Sequence, residues 1–224
     1  MPATKKRQMD VLTIFPEVIT PYTSASILGK AQQKKLLLIR AHNLRDWSTD
    51  RHQKVDDTPY GGGPGMLMKV EPFEKAVAAL RAKKPKKVRV ILTAASGKTF
   101  TQKDARRLAK YDQLIFLCGR YEGVDHRVEE QVVDESLSIG NYVLTGGELP
   151  ALVMMDAIAR MVPGVLGSKE SLDAESHDEE GSLEYPQYTK PEVYKKWSVP
   201  AILLSGDHKK IHEWRAGKTR KNEK

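Results

Sequence analysis

The stretch "SLDAESHDEEG", Ser171 to Gly181, gathers five carboxylates into eleven residues of a chain whose formal net charge is +8. Such a run either solvates a linker or supplies one carboxylate as a general base. Glycine offers a second kind of chemistry. "TAASGK" follows the apolar run that ends at Leu92, "CGRYEGVD" follows the one that ends at Leu117, and "SIGNYVLTGGELP" precedes a long apolar segment. Glycine lets a backbone approach a ligand closely and present peptide N–H and C=O groups to it. Each segment alone reads as a tight turn, whereas three together suit one flat, polar molecule.

Three better-known patterns fail on their spacing. "SGKT", Ser96 to Thr99, resembles the end of a phosphate-binding loop, but the glycine required five residues before Gly97 is Leu92. "YGGGPGM", Tyr60 to Met66, never completes G-x-G-x-x-G, because Met66 and Met68 stand where the third glycine would fall. His208 and His212 lie four apart on an expected helix without a third ligand at matching spacing, so they read as an exposed helical face.

Short β-rich runs, "MDVLTIF", "KVRVILT" and "QLIFLCG", alternate with "EPFEKAVAALRAKK" and "TQKDARRLAK", which have helical spacing. This alternation predicts an α/β fold with a mostly parallel sheet flanked by helices, and ligands in such sheets bind beyond the carboxyl ends of the strands. "GGELPALVMMDAIARMV", Gly146 to Val162, reads as a buried helix stopped by Pro163 and Gly164. The polar segment that follows, to about residue 190, reads as a flexible linker. "PEVYKKW" and "SGDHKKIHEWRAGK" then read as two helices of a small domain at 191–224.

With 40% hydrophobic and 29% charged residues, the chain suits one main domain with a core, at 1–162, plus this smaller appendage. It has no run of eighteen apolar residues and no secretory signal, so a cytoplasmic protein without a membrane partner is expected. The lone Cys118 agrees with a reducing compartment. Six cations in Arg81 to Arg89, and seven against two Glu from His208 onward, point to a polyanionic partner such as nucleic acid.

Six segments carry a resemblance: "MDVLTIFPE", "VDDTPYGGGPGM", "CGRYEGVDHRV", "SIGNYVLTGGELPA", "RMVPGVLG" and "LEYPQYTKPEV". Their order and spacing are similar to those of the bacterial tRNA (guanine-37-N1)-methyltransferases, the TrmD family of the SPOUT superfamily, from Met9 to about Trp214. The resemblance implies a trefoil knot at the carboxyl side of the sheet, S-adenosyl-L-methionine (AdoMet) held bent within it, a tRNA substrate, and a homodimer with active sites between subunits. It also implies a magnesium ion assisting catalysis, for which no compact ligand set stands out.

Carried over position by position, the resemblance assigns Thr93, Gly119, Tyr121 and Ser138 to the AdoMet pocket. Ile139, Gly140, Asn141, Tyr142, Val143 and Leu144 join them, with Gly146 and Gly147. Asp56, Gly65 and Ser171 would meet the tRNA, and Arg160 would stand beside the target base. The family's catalytic Asp follows the glycine of "PGVLG" by eight residues, which here gives Glu175, with Asp178 and then Asp173 as alternatives. A carboxylate is the minimum requirement, because N1 of guanine carries a proton that must leave as the methyl arrives. Two rival functions remain: a SPOUT ribose methyltransferase acting on RNA, and a non-catalytic RNA-binding module, the latter motivated by Glu175 and by Ala95 and Ser96 in a loop where Pro-Gln-Gly is expected.

Overall fold

The structure, a computed structural model, describes residues 6–81, 87–167, 182–218 and 220–221. Glu175, Ser171, Asp173 and Asp178 therefore lie outside the described residues, as does 82–86 of the basic run. The chain forms two compact units, one ending at Leu166 and one beginning at Gly167.

The first unit is built on five parallel strands: β1 (Arg7–Thr13), β2 (Leu37–Asn43), β5 (Val88–Thr99), β6 (Gln113–Cys118) and β7 (Glu135–Ser138), in the order β2-β1-β6-β5-β7. Alternate residues face opposite sides, so the sheet carries two cores. Met9, Val11, Leu114, Phe116 and Cys118 pack with α1 (Pro16–Thr23), α2 (Ser26–Gln33), α4 (Gln102–Leu108) and α6 (Glu148–Arg160). Leu12, Val90, Leu92, Ile115 and Leu117 pack against α3 (Val70–Leu80) and α5 (His126–Gln131). The central strand β6 is buried along its whole length, which explains its unbroken apolar run. A short antiparallel ribbon, β3 (Asp56–Asp57) with β4 (Leu67–Met68), closes the glycine-rich loop.

Two expectations need correction. "TAASGK" is not a loop beyond a strand ending at Leu92: β5 runs on to Thr99, and its pairing with β7 shifts between Thr93 and Lys98. The bulge lets Gly97 come so close to β7 that a Cβ there would lie 2.6 Å from the Leu137 nitrogen. The glycine of "SGKT" thus serves sheet packing. "PEVYKKW" is not a helix but a hairpin of β9 (Val193–Tyr194) and β10 (Trp197–Ser198), following β8 (Ser182–Leu183). Its β-branched and aromatic residues favour strands, and Tyr194 and Trp197 pair across it at 5.7 Å. The second unit also contains α7 (Ala201–Leu204), α8 (His208–Lys218) and β11 (Arg220–Lys221), which pairs with β8.

An ion-pair ladder braces the bulged edge of the sheet. Arg107 on α4 grips Glu135 of β7 through two bonds of 2.9 and 2.7 Å, and Arg89 of β5 donates to the same carboxylate at 2.8 Å. Arg107 also reaches Asp104 at 3.0 Å, as does Lys98 at 2.9 Å from the far side of the bulge. Asp104 completes a capping box with Thr101 at the start of α4. Burial alone would raise the Asp104 carboxyl, but hydrogen bonds from Lys98, Thr101 and Arg107 hold it down at about 2. A depressed carboxyl stabilises the fold in full above its ordinary range near pH 4, and that contribution disappears as pH falls to about 2. Asp104→Asn is therefore expected to lower stability by about 2 kcal/mol at neutral pH, with the difference from the parent shrinking below about pH 4; urea titrations at several pH values check both.

Candidate functional site

The connection after β5 runs to α4 on one face of the sheet, while the connection after β6 runs to α5 on the other. Loops that diverge in this way leave a crevice at the carboxyl ends of the strands, the usual ligand position in open α/β sheets. A cleft of about 390 Å³ lies there. Its walls are the β5 bulge at Leu92–Ser96, the turn at Gly119–Val124, and the segment from Leu137 that leads to Gly147 and Pro150.

Glycine sets the shape of this cleft at one crossing. The chain returns from β7 past the ends of β5 and β6 and enters α6 at Gly147, whose N–H donates to the Gly119 carbonyl at 3.0 Å. The Thr93 hydroxyl lies 3.2 Å from the Gly147 carbonyl and 3.1 Å from that of Leu117. A Cβ on Gly147 would sit 2.1 Å from that hydroxyl and 2.8 Å from Cα of Cys118, so no larger residue fits without displacing backbone. Cys118 itself is fully buried, and burial pushes its thiol well above the ordinary range, so it is a packing residue.

The residues expected in one pocket are mostly gathered here. Thr93, Gly119, Tyr121, Ser138, Ile139, Tyr142, Val143, Leu144, Gly146 and Gly147 line the cleft. Gly140 and Asn141 belong to the same loop without forming its wall. Ser138 organises the turn by donating to the Gly140 carbonyl at 2.9 Å. Tyr142, Val143 and Leu144 are exposed and form an apolar rim of the cleft.

The ribbon bearing Asp56 and the Gly65 loop hangs beside the same wall. Glu122 N donates to the Met66 carbonyl at 3.0 Å, and Met68 N donates to that of Gly123 at 3.0 Å. Gly65 has φ +80°, and a Cβ there would meet the Glu122 carboxylate at 2.5 Å. Arg160 stands apart. It ends α6, whose first residue is at the cleft, and thirteen helical residues extend about 18 Å.

A family model for tRNA (guanine-1)-methyltransferase, TrmD, matches residues 7–224. The tRNA (guanine-N(1)-)-methyltransferase of Dehalococcoides mccartyi is 50% identical over 93% of this chain and 84% of its own length. Those of Geobacter metallireducens and Thermomicrobium roseum are 50% and 51% identical, over 94% and 93% of this chain and 85% and 77% of theirs. The chain belongs to this family.

Reading the sequence of this TrmD-family chain by motif missed Arg120 and Glu148, which meet beneath the cleft at 3.0 Å. The signal available was an acid directly after "GG" at a helix start and an arginine after Gly119, both inside segments already singled out for their glycines. Among the described residues, no helix is long and apolar enough to cross a membrane, and no three His, Cys, Asp or Glu side chains cluster as a metal site. Gly147→Ala is expected to lower stability by about 1–3 kcal/mol, as overpacking does; urea unfolding of parent and variant measures it, and an unchanged midpoint would contradict the close crossing.

Proposed function

We propose that this chain transfers a methyl group from AdoMet to N1 of guanosine 37 of tRNA, beside the anticodon. The observation that carries the reading is its match to tRNA (guanine-N1)-methyltransferases at about half identity over nine-tenths of its length. The switch-point cleft is the methyl-donor site: its exposed peptide groups and apolar rim suit a flat, hydrogen-bonding nucleoside. When bound, AdoMet supplies a methyl group activated by its sulfonium. The return of the chain through Gly146–Glu148, across the ends of β5 and β6, is the crossing through which the trefoil knot closes in this reading.

The chain's own residues then manage a proton and a developing charge. Glu175 takes the N1 proton, while Arg160 donates hydrogen bonds to O6 of the guanine, where negative charge grows as that proton leaves. Ser171, Asp56 and Gly65 meet the tRNA. Because α6 separates Arg160 from its own chain's cleft by about 18 Å, the working site combines the cleft of one copy with Arg160 and Glu175 of another. Exposed Val18 and Tyr22 on α1, with Leu149 and Val153 on α6, supply an apolar surface for this homodimer, and Tyr22 already bonds Asp156 between the two helices.

Labelled AdoMet with unmodified tRNA, followed by mapping of the methylated nucleotide, tests the reading. Methyl on N1 of guanosine 37 is expected. Methyl on a ribose hydroxyl would favour the ribose methyltransferase, and cofactor binding without transfer would favour the non-catalytic module. Repeating the assay with EDTA tests the magnesium requirement. Glu175→Gln is expected to retain AdoMet binding and to lose about 10²-fold or more in turnover, the size of a general-base contribution.

A further inference from the structure

Glu148 is 1% exposed, a carboxylate set at the first residue of α6 in the floor beneath the cleft. Thr13 Oγ1, at the end of β1, donates to it at 2.5 Å. Its charge partner is Arg120, whose Nε donates to both carboxylate oxygens at 3.0 and 3.2 Å. Arg120 reaches onward in two directions. Nη1 donates to the Thr145 carbonyl at 3.3 Å on the opposite wall, and the guanidinium lies 4.7 Å from the centre of the Phe15 ring. Gly146 makes room for this arrangement, since a Cβ there would be 2.2 Å from Nε.

The next residue, Tyr121, has φ +60°, a left-handed conformation that a tyrosine holds only when its surroundings impose it. Its side chain is about half exposed and lines the cleft. On one side of Tyr121 the backbone is pinned through Arg120, whose N–H points to the Met68 sulfur at 3.1 Å; on the other, Glu122 N–H bonds Met66. We infer that Glu148 is a positioning residue of the methyl-donor site: by holding Arg120 it keeps the Tyr121 turn and the Thr145 carbonyl at the spacing the ligand needs. This rests on the reading of the cleft as the AdoMet site.

The electrostatics favour action through Arg120. Neutralising a buried carboxylate removes the counter-charge that keeps the guanidinium inside, and the Arg120 side chain, 22% exposed, has a path outward to water. Once it swings out, the Thr145 carbonyl loses its donor, and the left-handed turn keeps its backbone contacts, Arg120 N–H to the Met68 sulfur and Gly123 N–H to the Arg120 carbonyl, but loses its side-chain tie to α6. The cofactor wall would loosen while the surface at Asp56 and Gly65 keeps its own ribbon.

S-adenosylhomocysteine titrated calorimetrically into the full-length protein provides the test. Glu148→Gln and Arg120→Met are each expected to weaken binding about 10-fold or more, the range of a hydrogen bond to a charged partner. The double variant should bind no more weakly than the weaker single one, because both changes release the same turn. KM for AdoMet should rise in parallel while KM for tRNA stays at the parent value, a split that general loss of structure would not produce. Parent-like affinity in both single variants, or losses that multiply in the double variant, would overturn the inference. If thermal melting shows that Glu148→Gln does not fold, Arg120→Met, at the partly exposed end of the pair, decides alone. Ala95→Trp, which fills the cleft from the β5 bulge, separates the two levels of argument. Should it leave ligand binding intact, the cleft reading falls and this inference with it; should it abolish binding while Glu148→Gln and Arg120→Met do not, only the role of Glu148 falls.

Discussion

A peptide N–H at Gly147 reaches the Gly119 carbonyl at 3.0 Å because Gly147 has no side chain to hold the two segments apart; a Cβ there would lie 3.1 Å from the Gly119 nitrogen. This approach places the start of α6 against the ends of β5 and β6, and through it the three walls of the cleft meet. A side chain at Gly147 would push into Cα of Cys118, and strand backbone in a buried five-stranded sheet has little room to retreat. The tight crossing is also what places a carboxylate, Glu148, at 1% exposure beneath the cleft. Glu148 is held there by a hydroxyl and a guanidinium, and it sits at a helix N-terminus, where the peptide dipoles favour negative charge.

Two charge networks act on this site from different distances. The ladder of Arg89, Glu135, Arg107, Asp104 and Lys98 brackets the β5 bulge from outside, fixing the strand on either side of residues 94–97 while Ala94, Ala95 and Ser96 line the cleft. The Thr13, Glu148 and Arg120 group ties the other two walls together from below. An irregular strand and a left-handed tyrosine are both expensive locally, on the order of 1–3 kcal/mol for a strained residue. Both persist because charged hydrogen bonds on well-packed elements surround them. Rigidity of this kind suits a site that recognises its ligand through backbone groups, since backbone cannot change rotamer to improve a poor fit.

The alternation of apolar runs and helical spacing made the parallel sheet legible, because a strand buried on both faces must be apolar throughout, as Gln113–Cys118 nearly is. The cleft was legible as three glycine-bearing segments, and the structure brings all three together. What escaped is physical in origin. β5 reads as ending at Leu92 because its apolar pattern stops there, yet the strand passes through a bulge at residues 94–97 and resumes its pairing with β7 at Lys98 and Thr99. The hairpin at Val193–Ser198 was misread because its lysines and glutamate suit a helix, while Tyr194, Trp197 and the left-handed Lys195 fix a tight turn. Arg120 and Glu148 escaped because nothing in the order of residues says that two segments 28 positions apart will meet face to face.

In the proposed homodimer, the placement of Arg160 is the reason for a second copy. On that proposal helix α6 would have two tasks that a single chain cannot join, since its start lines the cleft at Gly147 and Pro150 and its last residue is the arginine proposed to face the target base. A helix of this length cannot bend through the half-circle needed to bring its ends together. Two copies related by a two-fold axis would solve the problem, because a symmetry that brought the end of one α6 to the start of the other would create both sites at once. The apolar residues Leu149 and Val153, four apart on α6 and close to α1, lie on the helix that such an axis would have to pair. In that proposed dimer assembly and catalysis would depend on the same helix, so weakening its exposed face would separate Arg160 from the partner's cleft while leaving the lining of each cleft in place.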